Sequence, residues 1–173
     1  MRTSDDELSE IVQEYPLGSL DLCYEEARWW LERQAENMQF LVSRASSLLG
    51  FEDAYLAVLA GFWTIQRSGL PVSSTAFLIG STFLLFSSAI SFFVVQRPAP
   101  LRAGLTPMRL TRAHVNRPER EAKYLNLHEM SKSIGENAKV VDSKAAFLTA
   151  GMILLGFSMA LLLAAAMVIV GSR

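Results

Sequence analysis

The chain has 173 residues, which leaves room for one domain. Its residues are 51% apolar, yet 16 Lys and Arg stand against 17 Asp and Glu for a net charge of −1. Charge and apolarity are segregated along the chain, which argues against an ordinary soluble core, and the single cysteine, Cys23, rules out an intrachain disulfide or a cysteine-clustered metal site.

The first segment, 1–17, is an acidic N-terminal tail, too polar for a cleavable signal peptide. A cytoplasmic helix is expected over 18–47, continuous with a first membrane span over 48–66. Its apolar side repeats as Leu20, Tyr24, Ala27, Leu31, Gln34, Met38, Leu41, Ala45 and Leu48, a 4-3-4-3 spacing that predicts a coiled-coil seam. Glu52 and Asp53 lie near the start of the span. Either they are inside the hydrocarbon and face protein or water, where they sense protons, bind a cation or line a path, or the span begins later and they sit among headgroups. Ala57 and Gly61 form a small-xxx-small pair suited to close helix packing.

Residues 67–74 make an external turn, and 75–95 a second span without a charge in twenty-one residues. Ser74 at its edge and Ser81 and Ser88 within it stand at sevenfold spacing, with Ser87 and Ser91 alongside. Such serines bond the carbonyl one turn back, join helices, or line a pore in an oligomer. The loop 96–116 is basic, and its Arg97, Arg102, Arg109 and Arg112 are candidates for contact with lipid or ligand phosphates.

A second cytoplasmic helix is expected over 117–144, continuous with a third span over 145–170, which is free of charge for twenty-six residues. Asp21 and Asn116, the latter before Arg117-Pro118, read as N-caps of the two long helices. A second seam is read at Tyr124, Leu127, Ser131, Ile134, Ala138, Val141, Ala145, Leu148 and Met152. Gly156, Ala160 and Ala164 form another ridge of small residues.

The two long segments also match each other. "ENMQFLVSRASSL" from Glu36 aligns without a gap on "ENAKVVDSKAAFL" from Glu136, pairing Arg44 with Lys144. Both cations are expected at the membrane edge, snorkelling to phosphates. The predicted fold is therefore an all-α membrane protein with three transmembrane helices, the first and third extended into the cytoplasm as a parallel coiled-coil-like pair. Residues 1–50 hold ten acids and four bases, and 96–144 ten bases and five acids, so the two arms attract. The same cation bias puts the N-terminus and the 96–144 loop inside and the C-terminus outside.

No enzyme is expected. His114 and His128 are the only histidines and have no metal or triad spacing, and no phosphate-binding loop or HExxH occurs. No cofactor, metal or nucleic acid is expected as a partner. Trp29-Trp30 is expected to pack in the coil, with a subunit contact or ligand platform as the alternative.

The chain resembles the small bacterial transmembrane effectors of cyclic-pyrimidine anti-phage (Pycsar) systems and the related SLATT-type domains. "FLVSRASSLL" at 40–49 keeps their aromatic, Arg44, Ala45 and Ser46 but has Leu41 and Val42 where they have an Ala-Asp pair. "VDSKAAFL" keeps Asp142, Lys144 and Ala145 ahead of a different span. The resemblance implies a homo-oligomeric, membrane-disrupting effector in the bacterial inner membrane, in contact with lipid and triggered by a nucleotide signal. The residues alone equally admit a scaffold or accessory subunit that anchors a partner protein through its cytoplasmic helices.

Overall fold

No proline interrupts the chain between Pro16 and Pro71, or anywhere after Pro118, so nothing there breaks the i→i−4 ladder. In the computed structural model, which describes residues 17–66, 72–102 and 118–171, each of these stretches contains one helix. α1 spans Leu17–Gln66, α2 Val72–Gln96 and α3 Glu119–Gly171, and no strand occurs among the described residues. The fold is all-α. α3 opens with the Ala122 amide donating to the Pro118 carbonyl at 3.1 Å, and Glu119 and Glu121 in its first turn suit the positive end of the helix dipole. α1 already begins at Leu17, so Asp21 lies inside the helix and is not its cap. The acidic tail, most of the external turn, and Arg109, Arg112, His114 and Asn116 lie outside the described residues.

Two of the helices, α2 with mean hydropathy 2.1 and α3 with 2.7, are long and apolar enough to cross a membrane. α1 does not reach that measure among the described residues, because Glu52 and Asp53 interrupt its apolar run. Three spans are thus an expectation from sequence, and two candidates are what the structure carries. Both α2 and α3 bury only about a third of their most apolar stretch. Phe83, Phe86 and Ile90 on α2, with Leu163 and Met167 on α3, are exposed. A helix apolar on every side suits lipid better than water.

The residues fall into two compact units, one of Met1–Met38 with Ala99–Val141, the other of Gln39–Pro98 with Asp142–Arg173. In the first unit α1 and α3 run parallel. Lys123 donates to Asp21 at 2.9 Å, Asn126 lies 3.4 Å from the Tyr24 hydroxyl, and Gln34 donates to the Ile134 carbonyl at 2.9 Å. Those partners are 102, 102 and 100 residues apart, so the two helices advance together. In the second unit α2 is antiparallel to both neighbours: Ser46, Glu52 and Tyr55 of α1 meet Gln96, Ser88 and Ser81 in descending order.

The α1 seam lies where the spacing puts it. Leu20, Ala27, Gln34, Met38 and Ala45 are buried, and Tyr24, Leu31, Leu41 and Leu48 half-buried. The 4-3 rhythm then continues through Glu52, Tyr55 and Leu59, all buried. On α3 the seam differs from the one read in the sequence. Ser131 and Met152 are exposed, and the buried positions are Asn126, Met130, Ser133, Asn137, Lys144, Leu148 and Gly151. The expected stripe meets the buried one at Leu148; Tyr124, Leu127, Ile134, Ala138, Val141 and Ala145 are half-buried. Apolarity misled here because Asn126, Ser133, Asn137 and Lys144, polar groups with hydrogen-bond partners, take four of these interior places.

Candidate functional site: a polar interior across three helices

α2 presents Ser74, Leu78, Ser81, Leu85, Ser88, Phe92 and Val95 inward, small and large residues in alternation. The sevenfold serines are therefore interior groups of the second unit. Ser158 on α3 donates to the Ser81 carbonyl at 2.8 Å, and Ser81 to the Ser158 carbonyl at 2.9 Å. This reciprocal exchange between antiparallel helices is joined by the Tyr55 hydroxyl, 2.9 Å from the Ser158 carbonyl and 3.0 Å from Ser81 Oγ. One layer thus ties α1, α2 and α3 together. Leu59, Leu78, Leu85, Leu155 and Leu162 pack in the same core. Ser87 and Ser91, both half-buried, bond the carbonyls of Phe83 and Ser87 one turn back, as helical serines do.

The acidic pair is split. Asp53 is exposed, whereas Glu52 is 2% exposed and accepts a hydrogen bond at Oε1 from the Ser88 hydroxyl. Its Oε2 has no hydrogen-bond partner. Neighbours in sequence on a helix point about 100° apart, so only one of two adjacent acids can face the interior. Continuing the α1 seam from Leu48 by four would have selected Glu52.

Arg44 and Lys144, paired by the repeat, do different things. Arg44 is exposed and lies over the Phe40 ring at 5.2 Å. Lys144 is buried, and its ammonium donates to the carbonyls of Val95 and Arg97, where α2 ends and its last carbonyls lack helical partners. The expected snorkelling does not describe Lys144. It caps a neighbouring helix.

Among the described residues, the outward ridges of small residues carry little of the packing. Ala57, Gly61, Gly156 and Ala160 are exposed and Ala164 is half-buried. Close packing falls on a glycine that the spacing missed: a Cβ on Gly151 would stand 2.5 Å from the Phe92 ring.

In the first unit the Asn137 side chain clamps the backbone of Arg102, accepting from its amide at 2.9 Å and donating to its carbonyl at 2.8 Å. The Arg102 guanidinium pairs with Glu136, so this arginine is engaged by protein, while Arg97 is exposed. Glu36 and Asn37, the repeat's other copy, are exposed. Trp29 and Trp30 are 52% and 46% exposed and do not pack in the coil. Their rings meet edge to face at 5.1 Å, with Arg33 over Trp29 at 5.9 Å. Lys123, between Glu119 and Asp21, has its pKa raised by those two hydrogen bonds, the one to Glu119 contributing most.

Comparison of the chain with protein-family models, with curated proteins and with solved structures gives no match.

Proposed function

We propose that the protein is an oligomeric effector of the bacterial inner membrane, controlled by a cytoplasmic signal of the nucleotide class. In this reading α1 crosses the membrane over 48–66, α2 over 75–95 and α3 over 145–170. The cation bias keeps the N-terminus and the 96–144 segment cytoplasmic and the C-terminus outside. The observation that carries the reading is the placement of Ala57, Gly61, Gly156 and Ala160. These small residues are exposed on helices whose own packing uses other positions. In lipid such ridges let helices of separate copies approach closely. The interior of the second unit is filled by Tyr55, Ser81, Ser158 and leucines, so an aqueous path would form between copies rather than through one.

The test is membrane potential in cells after induction, with and without candidate cyclic nucleotides. The expected result is depolarisation, abolished when Gly156 and Ala160 are replaced by leucine in a protein that still inserts. Unchanged potential under every nucleotide, at verified expression, rejects the effector.

A second reading, a membrane scaffold that anchors a partner protein, is favoured by the exposure of Trp29 and Trp30, since large aromatics outside a core are enriched at contact surfaces. A stoichiometric foreign subunit co-purified in mild detergent supports it, whereas a ring of identical chains supports the effector.

A further inference from the structure

Between α1 and α2 of the second unit lies a cavity of about 250 Å³. Its lining includes Leu49, Leu56, Leu85, Phe86 and Phe93, all apolar, with Glu52 and Asp53 as the acids. Phe86 and Phe93 are each 58% exposed, so the cavity opens at the outer surface, while Glu52 is 98% buried. The buried carboxyl has one oxygen satisfied by Ser88 and the other with no partner. An unpaired acceptor in an apolar wall is costly, and more so when charged. Nothing within the described residues offsets it.

We propose that this cavity is a binding site for a primary ammonium group carried on an apolar body. The ammonium donates to Glu52 Oε2, and the body lies along Leu56, Phe86 and Phe93.

The alternatives fit less well. A proton on Oε2 turns an unpaired acceptor into an unpaired donor and leaves the volume unfilled. A divalent cation needs six or more oxygens, and here two carboxylates, Glu52 and Asp53, are set in otherwise apolar walls. A guanidinium matches both carboxylate oxygens, but Ser88 occupies Oε1. A quaternary ammonium has no N–H for Oε2. A primary ammonium supplies the donor and the charge, and the phenylalanine faces favour a cation nearby. The volume lies just below the ~300–1,000 Å³ of pockets for drug-sized ligands, which suits a ring or short chain. The amine can be a free small molecule or the headgroup of an ethanolamine lipid. The site needs only the packing of α1 against α2 and holds whether or not the protein is an effector.

The test is the rate at which dicyclohexylcarbodiimide adds to Glu52, read by mass spectrometry of the full chain in nonionic micelles. Phenethylammonium chloride is expected to slow the addition at least tenfold, in wild type and in Asp53→Asn alike, whereas uncharged 2-phenylethanol leaves it unchanged. Glu52→Gln keeps an acceptor for Ser88 and so retains the fold. By equilibrium dialysis it is expected to lose phenethylammonium binding while its melting temperature is held. In vesicles of phosphatidylethanolamine, slowing relative to phosphatidylcholine identifies the lipid as the amine source; slowing only by added phenethylammonium identifies a free amine. Equal protection by the alcohol, no protection by either amine, or binding retained in Glu52→Gln overturns the proposal.

Discussion

Lys144 donates its ammonium protons to the carbonyl of Val95, 49 residues earlier, and so closes the end of α2. Its repeat partner Arg44 makes no such bond and lies exposed over Phe40. Lys144→Met keeps the length of the side chain but leaves the carbonyls of Val95 and Arg97 without that donor, at an expected cost of about 1–3 kcal/mol. Arg44→Ala is expected to cost less than about 0.5 kcal/mol. Thermal unfolding in detergent compares them, and equal losses would contradict the asymmetry.

Gly151 has no room for a side chain because Phe92 occupies it. Gly151→Ala is expected to destabilise the protein by about 1–3 kcal/mol through overpacking. Phe92→Leu in the same chain should recover part of that loss, since the two substitutions share one contact. A double variant no better than the sum of the singles argues against a direct clash.

The Tyr55, Ser81 and Ser158 layer predicts coupling. Tyr55→Phe and Ser158→Ala should each lower stability by about 0.5–1.5 kcal/mol. Their combination should cost less than the sum, because the Tyr55 hydroxyl bonds the same residue. Strict additivity would show that the three groups act separately.

Asn137 holds both polar groups of the Arg102 backbone. Asn137→Ala should raise the hydrogen-exchange rate of the Arg102 amide by at least tenfold and leave the second unit's amides unchanged. An Arg102 amide as protected as in wild type would place its protection elsewhere.

Lys123 titrates above the ordinary lysine range because Glu119, and then Asp21, bond its ammonium. Its folded pKa exceeds its unfolded value of about 10.4, so the stabilisation is present below that pH and is lost as pH rises through the folded value. The difference in melting temperature between wild type and Lys123→Met should therefore shrink at strongly alkaline pH. It should also shrink in 1 M salt, because the group is half-exposed and the Debye length there is about 3 Å. A difference independent of both would assign Lys123 a packing role.

Much of this was legible in the residue order. The absence of proline over Leu17–Gln66 and Glu119–Gly171 marks two long helices, and charge-free runs mark α2 and the end of α3 as apolar enough for a membrane. The 4-3-4-3 positions of α1 lie inward because helical period alone assigns a face. The sevenfold serines show one face of α2 by the same arithmetic. What sequence could not assign is which polar group has a partner. Asn137, Lys144 and Ser158 look like surface residues until the Arg102 backbone, the α2 terminus and Ser81 are brought beside them. Burial of a polar atom is favourable only with a partner in place, and partners 35 to 77 residues away are set by packing and not by local spacing. For the same reason the split of Glu52 from Asp53, and the use of Gly151 rather than Gly156 for close approach, were decided by the tertiary structure.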